Sequence, residues 1–137
     1  MSQIMTEQEL HEAGLELLLS WLQNNGNEIE MAQPQKEALP HIVIKSGRLL
    51  TFIAVATAMY PHKGQVSEAD RTALYEHAQK FGAFCAIASI GLANAAGIES
   101  RDKKLLGTPY KDASFVMDFG GLQYLGAENA QKDASGK

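Results

Sequence analysis

Cysteine is almost absent from this sequence: Cys85 is the only one in 137 residues. No internal disulfide can form, and a zinc site built from cysteine pairs is excluded. Long apolar runs are missing too; the longest fall far short of the ~20 residues that a membrane-spanning helix needs. The first residues, MSQIMTEQEL, have neither the basic start nor the apolar stretch of a secretory signal. The expected compartment is therefore the cytoplasm, with no membrane partner. Positive charge is not in excess, since the formal net charge is −4. Proteins that live by phosphate contacts are usually more basic. The charge is unevenly spread. Residues 1–35 hold six acids and no Lys or Arg, residues 36–111 hold ten Lys and Arg against six acids, and residues 112–137 hold two lysines and four acids. Any nucleic-acid contact is thus expected from the basic middle of the chain.

Several catalytic signatures are also missing. There is no GxxxxGK[ST] or GxGxxG phosphate loop and no Gly-x-Ser-x-Gly around Ser89. The four histidines (His11, His41, His62, His77) show no His-x-x-x-His spacing. Asp118-Phe119-Gly120 spells a kinase tripeptide, but the chain is too short for a kinase and has no catalytic-loop motif. Asp118 is expected at a strand end.

What is present reads as one α/β domain over residues 1–126, with a polar, flexible tail over residues 127–137. The length can bury a core without staples. Apolar content of 45% and charged content of 20% are ordinary for a globular chain. Thr6-Glu7-Gln8-Glu9 fits a capping box, and Leu10, Ala13, Gly14, Leu17, Leu18 and Trp21 follow at helical spacing. Residues 27–33 and 41–45 read as strands separated by Pro34 and Pro40. Ser46-Gly47 marks a tight turn into a third strand over 48–57, apolar enough to be covered on both faces. Ser67-Glu68-Ala69-Asp70 opens a second helix that ends at Gly82. A strand from small residues follows over 84–90. Gly91 to Gly97 reads as a flexible connection and Arg101 to Lys104 as a charged turn. Ser114 to Phe119 reads as a last strand, with Leu122 to Leu125 as a short cover. The order is α-β-β-β-α-β plus a peripheral strand, with the helix at 68–81 carrying the chain to a parallel strand.

The stretch from Leu39 to Thr57 resembles the PD-(D/E)xK nuclease superfamily, in particular its small resolvase-like, tRNA-endonuclease-like and RecB-like members. In that family a Pro-Asp opens the second strand and the third strand carries acid-x-Lys. Here Pro40-His41 and Phe52-Ile53-Ala54-Val55-Ala56-Thr57 keep the frame. The resemblance covers roughly residues 10–93 by element order and implies a restriction-endonuclease-like core. It also implies an emptied catalytic centre: Ala54 stands at the acid, Ala56 at the lysine and His41 at the aspartate. Two methyl groups provide neither the metal ligands nor the cation that phosphodiester chemistry uses. Glu16 matches the first-helix glutamate of some members and is the possible remnant. Arg71 and Tyr75 keep the spacing of the RecB-like Gln-x-x-x-Tyr.

The expectation is a non-catalytic binding or structural domain without cofactor or metal. A second copy of the chain is one candidate partner. Weak nucleic-acid contact is implied by the resemblance, through Lys45, Arg48, Lys63, Arg71 and Lys80. The competing expectation is a metal-dependent nuclease whose site has migrated, drawing on Glu68, Asp70 or Lys80. A scaffold with an unrelated small-molecule site is the third.

Overall fold

The computed structural model describes residues 3–126. Helix α1 (Glu7–Asn24) starts where the local signal places it. The Glu9 amide donates to Thr6 Oγ1 (3.1 Å) and the Thr6 amide to Glu9 Oε1 (2.9 Å), so two orphan donors are satisfied reciprocally. Its inner face buries His11, Gly14, Leu15, Leu18 and Leu22. Gly14 allows the helix to sit directly on the sheet, because a β-carbon there would overlap the Thr57 hydroxyl.

Strands β1 (Glu28–Ala32), β2 (Ile42–Ser46) and β3 (Leu49–Met59) form an antiparallel meander. Ser46 pairs with Leu49, leaving Gly47-Arg48 as the two-residue turn, and Gly47 takes the positive φ (62°) that such turns require. Helix α2 (Glu68–Lys80), capped by Ser67 Oγ accepting from the Asp70 amide (3.1 Å), leads to β4 (Phe84–Asn94). Strand β4 runs parallel to β3 from Thr51↔Phe84 to Met59↔Leu92. Strand β5 (Phe115–Phe119) lies antiparallel on the second half of β4, and β6 (Gln123–Tyr124) on its first half. The sheet order is β1-β2-β3-β4-β5. No helix among the described residues is long and apolar enough to cross a membrane.

Alternation along β3 divides the core into two layers. Ile53 and Val55 join Leu15, Leu18 and Leu22 beneath α1, together with Ile42, Ile44, Ala88, Ile90 and Leu92. Phe52 and Ala54 join Val43, Cys85, Leu74 and Ala78 beneath α2. This mixed sheet flanked by helices is the expected α/β class.

Two connections differ from the sequence reading. Gly91 to Gly97 is not a flexible linker: β4 continues to Asn94, and α3 (Ala95–Ser100) follows at once. Gly91 serves close approach rather than flexibility, since a β-carbon there would come within 2.9 Å of the His62 carbonyl oxygen. The buried Asn94 caps α3, with Oδ1 accepting from the Ala96 amide (3.0 Å) and Nδ2 donating to the Thr108 carbonyl (3.1 Å). The charged turn near Arg101 is likewise a helix start. Asp102 Oδ1 accepts from the Lys104 and Leu105 amides and opens α4 (Lys103–Leu106). The tail expected over 127–137 lies outside the described residues.

Candidate ligand cleft

Strand β2 pairs with β3 only as far as Ile42↔Ile53, whereas β3 runs on to Met59. Among the described residues, the β2-side edge of β3 is therefore without a neighbouring strand from Val55 to Met59. This edge floors a cleft of about 730 Å³. Leu10 and His11 of α1 form one wall, and Val66 and Asp70 before and within α2 form another. Lys36, Leu39 and His41 close the β2 end, and Tyr60, His62, Gly107 and Pro109 the other. The volume is that of an ordinary small-ligand site.

His41, at the entry to β2, is 3% exposed, and both ring nitrogens are committed. The Val55 amide donates to Nδ1 (2.8 Å), so Nδ1 is the acceptor and the ring is the Nε2–H tautomer, donating to the Lys36 carbonyl (2.8 Å). Burial lowers its pKa from the usual histidine value, although the Lys36 bond acts the other way. The ring thus substitutes for the missing β2 residue opposite Val55.

His11 packs against it, with ring centroids 4.5 Å apart and the rings tilted by 58°. It is also 3% exposed, and its Nε2 is buried without a hydrogen-bond partner among the described residues. Desolvation, then the neighbouring His41 and Lys36 charges, push its pKa down to about 4, so the ring is neutral at pH 7. Thr57 Oγ1 is likewise buried and has no hydrogen-bond partner among the described residues. At the mouth Lys36 pairs with Glu7 (3.3 Å). Asp70 belongs to none of the ion pairs among the described residues.

His41, Ala54 and Ala56 all line this cleft. Ala54 is fully buried beneath α2, and the loop after β3 doubles back over Ala56 so closely that a β-carbon at Gly64 would overlap the Ala56 carbonyl group. Glu16 does not join them; it is exposed on α1 and lines no part of the cleft. Of the residues considered for a migrated site, Asp70 lines the cleft, whereas Glu68 and Lys80 are exposed and outside it. Among the described residues no three His, Cys, Asp or Glu side chains are grouped to hold a metal ion.

The five basic residues separate into two sets. Lys63 and Arg71 share a neighbouring cleft of about 400 Å³ with Gln65, Ser89 and Gln123. Lys63 lies 3.6 Å from Asp118, which sits one residue before the end of β5, and Arg71 Nε is buried without a partner among the described residues. Lys45, Arg48 and Lys80 lie at the other end of the sheet, near the β2–β3 turn and the C-terminus of α2. Along β3 the two sets are four to six residues apart, from Leu50 opposite Lys45 to Ala54 and Ala56 opposite Ile87 and Ser89, or ~13–20 Å at the usual rise per residue. Tyr75 accepts a bond from Gln79 (2.8 Å) and stands outside the main cleft.

His11 and Lys36 are the cleft residues that sequence reasoning passed over. His11 precedes Gly14, Leu18 and Leu22 on the buried stripe, and a histidine on an apolar stripe was the available signal. Lys36 gave none, because only the loop path brings it near. No curated protein matches this chain. Residues 8–125 match the family described as a domain of unknown function, DUF8840, and the chain belongs to that family.

Proposed function

We propose that this chain is a non-catalytic binding domain on a restriction-endonuclease-like scaffold, with the vacated centre serving as the binding cleft. The observation that carries this reading is the state of the three motif positions. They line one cleft, yet they offer two methyl groups and an imidazole whose nitrogens are both held by backbone groups. Helix–meander–helix–parallel-strand order and the β3–β4 pairing support the scaffold. A magnesium site needs several oxygen ligands, and the cleft's carboxylates are Asp70 and a Glu7 already paired with Lys36.

The test is a titration with magnesium or manganese alongside a plasmid-nicking assay. The reading expects no saturable heat at millimolar metal and no cleavage. Metal-dependent nicking abolished by Asp70→Asn would overturn it in favour of a migrated nuclease site. Weak nucleic-acid contact belongs to the same proposal and is favoured at the Lys63–Arg71 end, where Arg71 Nε lacks a partner among the described residues. Such binding should weaken steeply with salt and be lost on charge reversal at Lys63 and Arg71.

A further inference from the structure

The open edge of β3 has a hydrogen-bonding pattern that identifies what fits it. Backbone groups of a strand alternate sides, and three bonds fix the phase here. His41 N–H donates to the Ile53 carbonyl (2.9 Å), Val55 N–H to His41 Nδ1 (2.8 Å), and His62 N–H to the Met59 carbonyl (2.9 Å). Odd-numbered residues of β3 therefore face the cleft, and even-numbered ones face β4, as the Tyr60 N–H bond to the Leu92 carbonyl (2.8 Å) confirms. After His41 and His62 have taken their shares, the Val55 carbonyl, both backbone groups of Thr57 and the Met59 N–H remain. No strand pairs with them among the described residues. Two cleft-lining side chains, His11 and Thr57, also hold buried polar atoms without a partner among the described residues.

We infer that the cleft takes a short extended peptide, which adds to β3 as a strand along Val55–Met59 and continues the line of β2. This rests on the proposal that the cleft is a binding site. Strand addition pairs backbone donors and acceptors in the way the edge presents them, while pockets on alternate sides select side chains. The free stretch is ~14 Å long at strand rise, enough for three to four residues. Cross-strand partners share a face. The peptide residue opposite Thr57 turns toward α1, where it meets Leu10 and the buried His11, and a small side chain with a hydroxyl or amide suits that wall. Its two neighbours turn toward Val66 and the Asp70 carboxylate, which is in no ion pair among the described residues and favours a basic side chain. Ala54, Ala56 and Ala58 keep the floor low.

The experiment is amide hydrogen exchange and NMR on the full chain, free and with a pool of capped Ac-Lys-Xaa-Lys-NH₂ tripeptides. Its controls are the backbone N-methylated pool and Ac-Glu-Xaa-Glu-NH₂. In the free protein, Thr57 and Met59 amides should exchange much faster than Ala56 and Ala58. With peptide tenfold above its Kd, both should slow about tenfold, following 1 + [L]/Kd, and the N-methylated pool should give no slowing. Equal protection of Thr57 and Ala56 in the free protein would overturn the open edge. Absence of any peptide-induced change at millimolar concentration would overturn the inference as well. Peptide-induced shifts at His11 and His41 without protection of Thr57 and Met59 would refute strand addition while leaving the cleft a binding site. Metal-dependent nicking in the separate assay would instead refute the non-catalytic reading itself.

Discussion

Acidification should destabilise this protein well above the range in which its carboxylates titrate, and His11 sets the size of the effect. A histidine in the unfolded chain titrates near 6.5; burial beside His41 pushes the folded value down to about 4. The folded state therefore binds fewer protons than the unfolded state between these values, and stability must rise with pH across that window. The contribution is complete above pH 6.5 and is lost as pH falls through 6.5 toward 4. At ~1.36 kcal/mol per unit, the whole shift is worth about 3 kcal/mol, of which about 2 kcal/mol is lost by pH 5. His41 is shifted in the same direction, so it adds to the slope. Urea unfolding followed by Trp21 fluorescence provides the assay, because Trp21 is the only tryptophan and packs edge-on to Phe119 (4.9 Å). The perturbation is His11→Leu, which removes the titrating ring and its unpartnered nitrogen. Wild-type protein should lose about 2 kcal/mol more than the variant between pH 8 and pH 5. An identical pH slope in the two proteins, or wild-type stability that rises on acidification, would show that His11 is not held neutral by burial.

Two close approaches give further tests. Gly64→Ala should cost about 3 kcal/mol, the upper end for overpacking, because the obstructing atoms are the Ala56 backbone and cannot turn aside; a midpoint unchanged in urea would mean that the loop does not lie on β3. Gly14→Ala should destabilise by ~1–2 kcal/mol despite the ~1 kcal/mol helix-propensity gain, since its β-carbon meets Thr57. Adding Thr57→Ala removes the offending hydroxyl and methyl groups, and the cycle should show coupling of ~1 kcal/mol, whereas additive effects would place α1 away from Thr57.

Both long-helix starts were legible in the sequence, because capping is local: Thr6 with Glu9 and Ser67 with Asp70 lie within one turn. The meander and the buried third strand were legible from alternation, apolar content and the Gly47 turn. Local signals misled where glycine and asparagine serve packing rather than loops. Gly91 is small to admit the His62 carbonyl, and Asn94 is buried at the junction of β4 and α3.

The sequence by itself determined the α-β-β-β-α-β order of the core, the α/β class and the absence of any carboxylate or lysine at positions 41, 54 and 56, since each depends on residue type and short-range pattern. Only the tertiary structure decided what those three positions adjoin. His11 and His41 are far apart along the chain, and their rings meet only because Gly14 allows α1 to settle on β3. The open edge from Val55 to Met59 exists because β2 stops at Ile42 while β3 continues, a difference in pairing length that alternation within either strand does not encode. The division of Lys63 and Arg71 from Lys45, Arg48 and Lys80 has the same origin. Parallel pairing of β3 with β4 makes α2 run back along the sheet, which carries Arg71 and Lys80 to opposite ends.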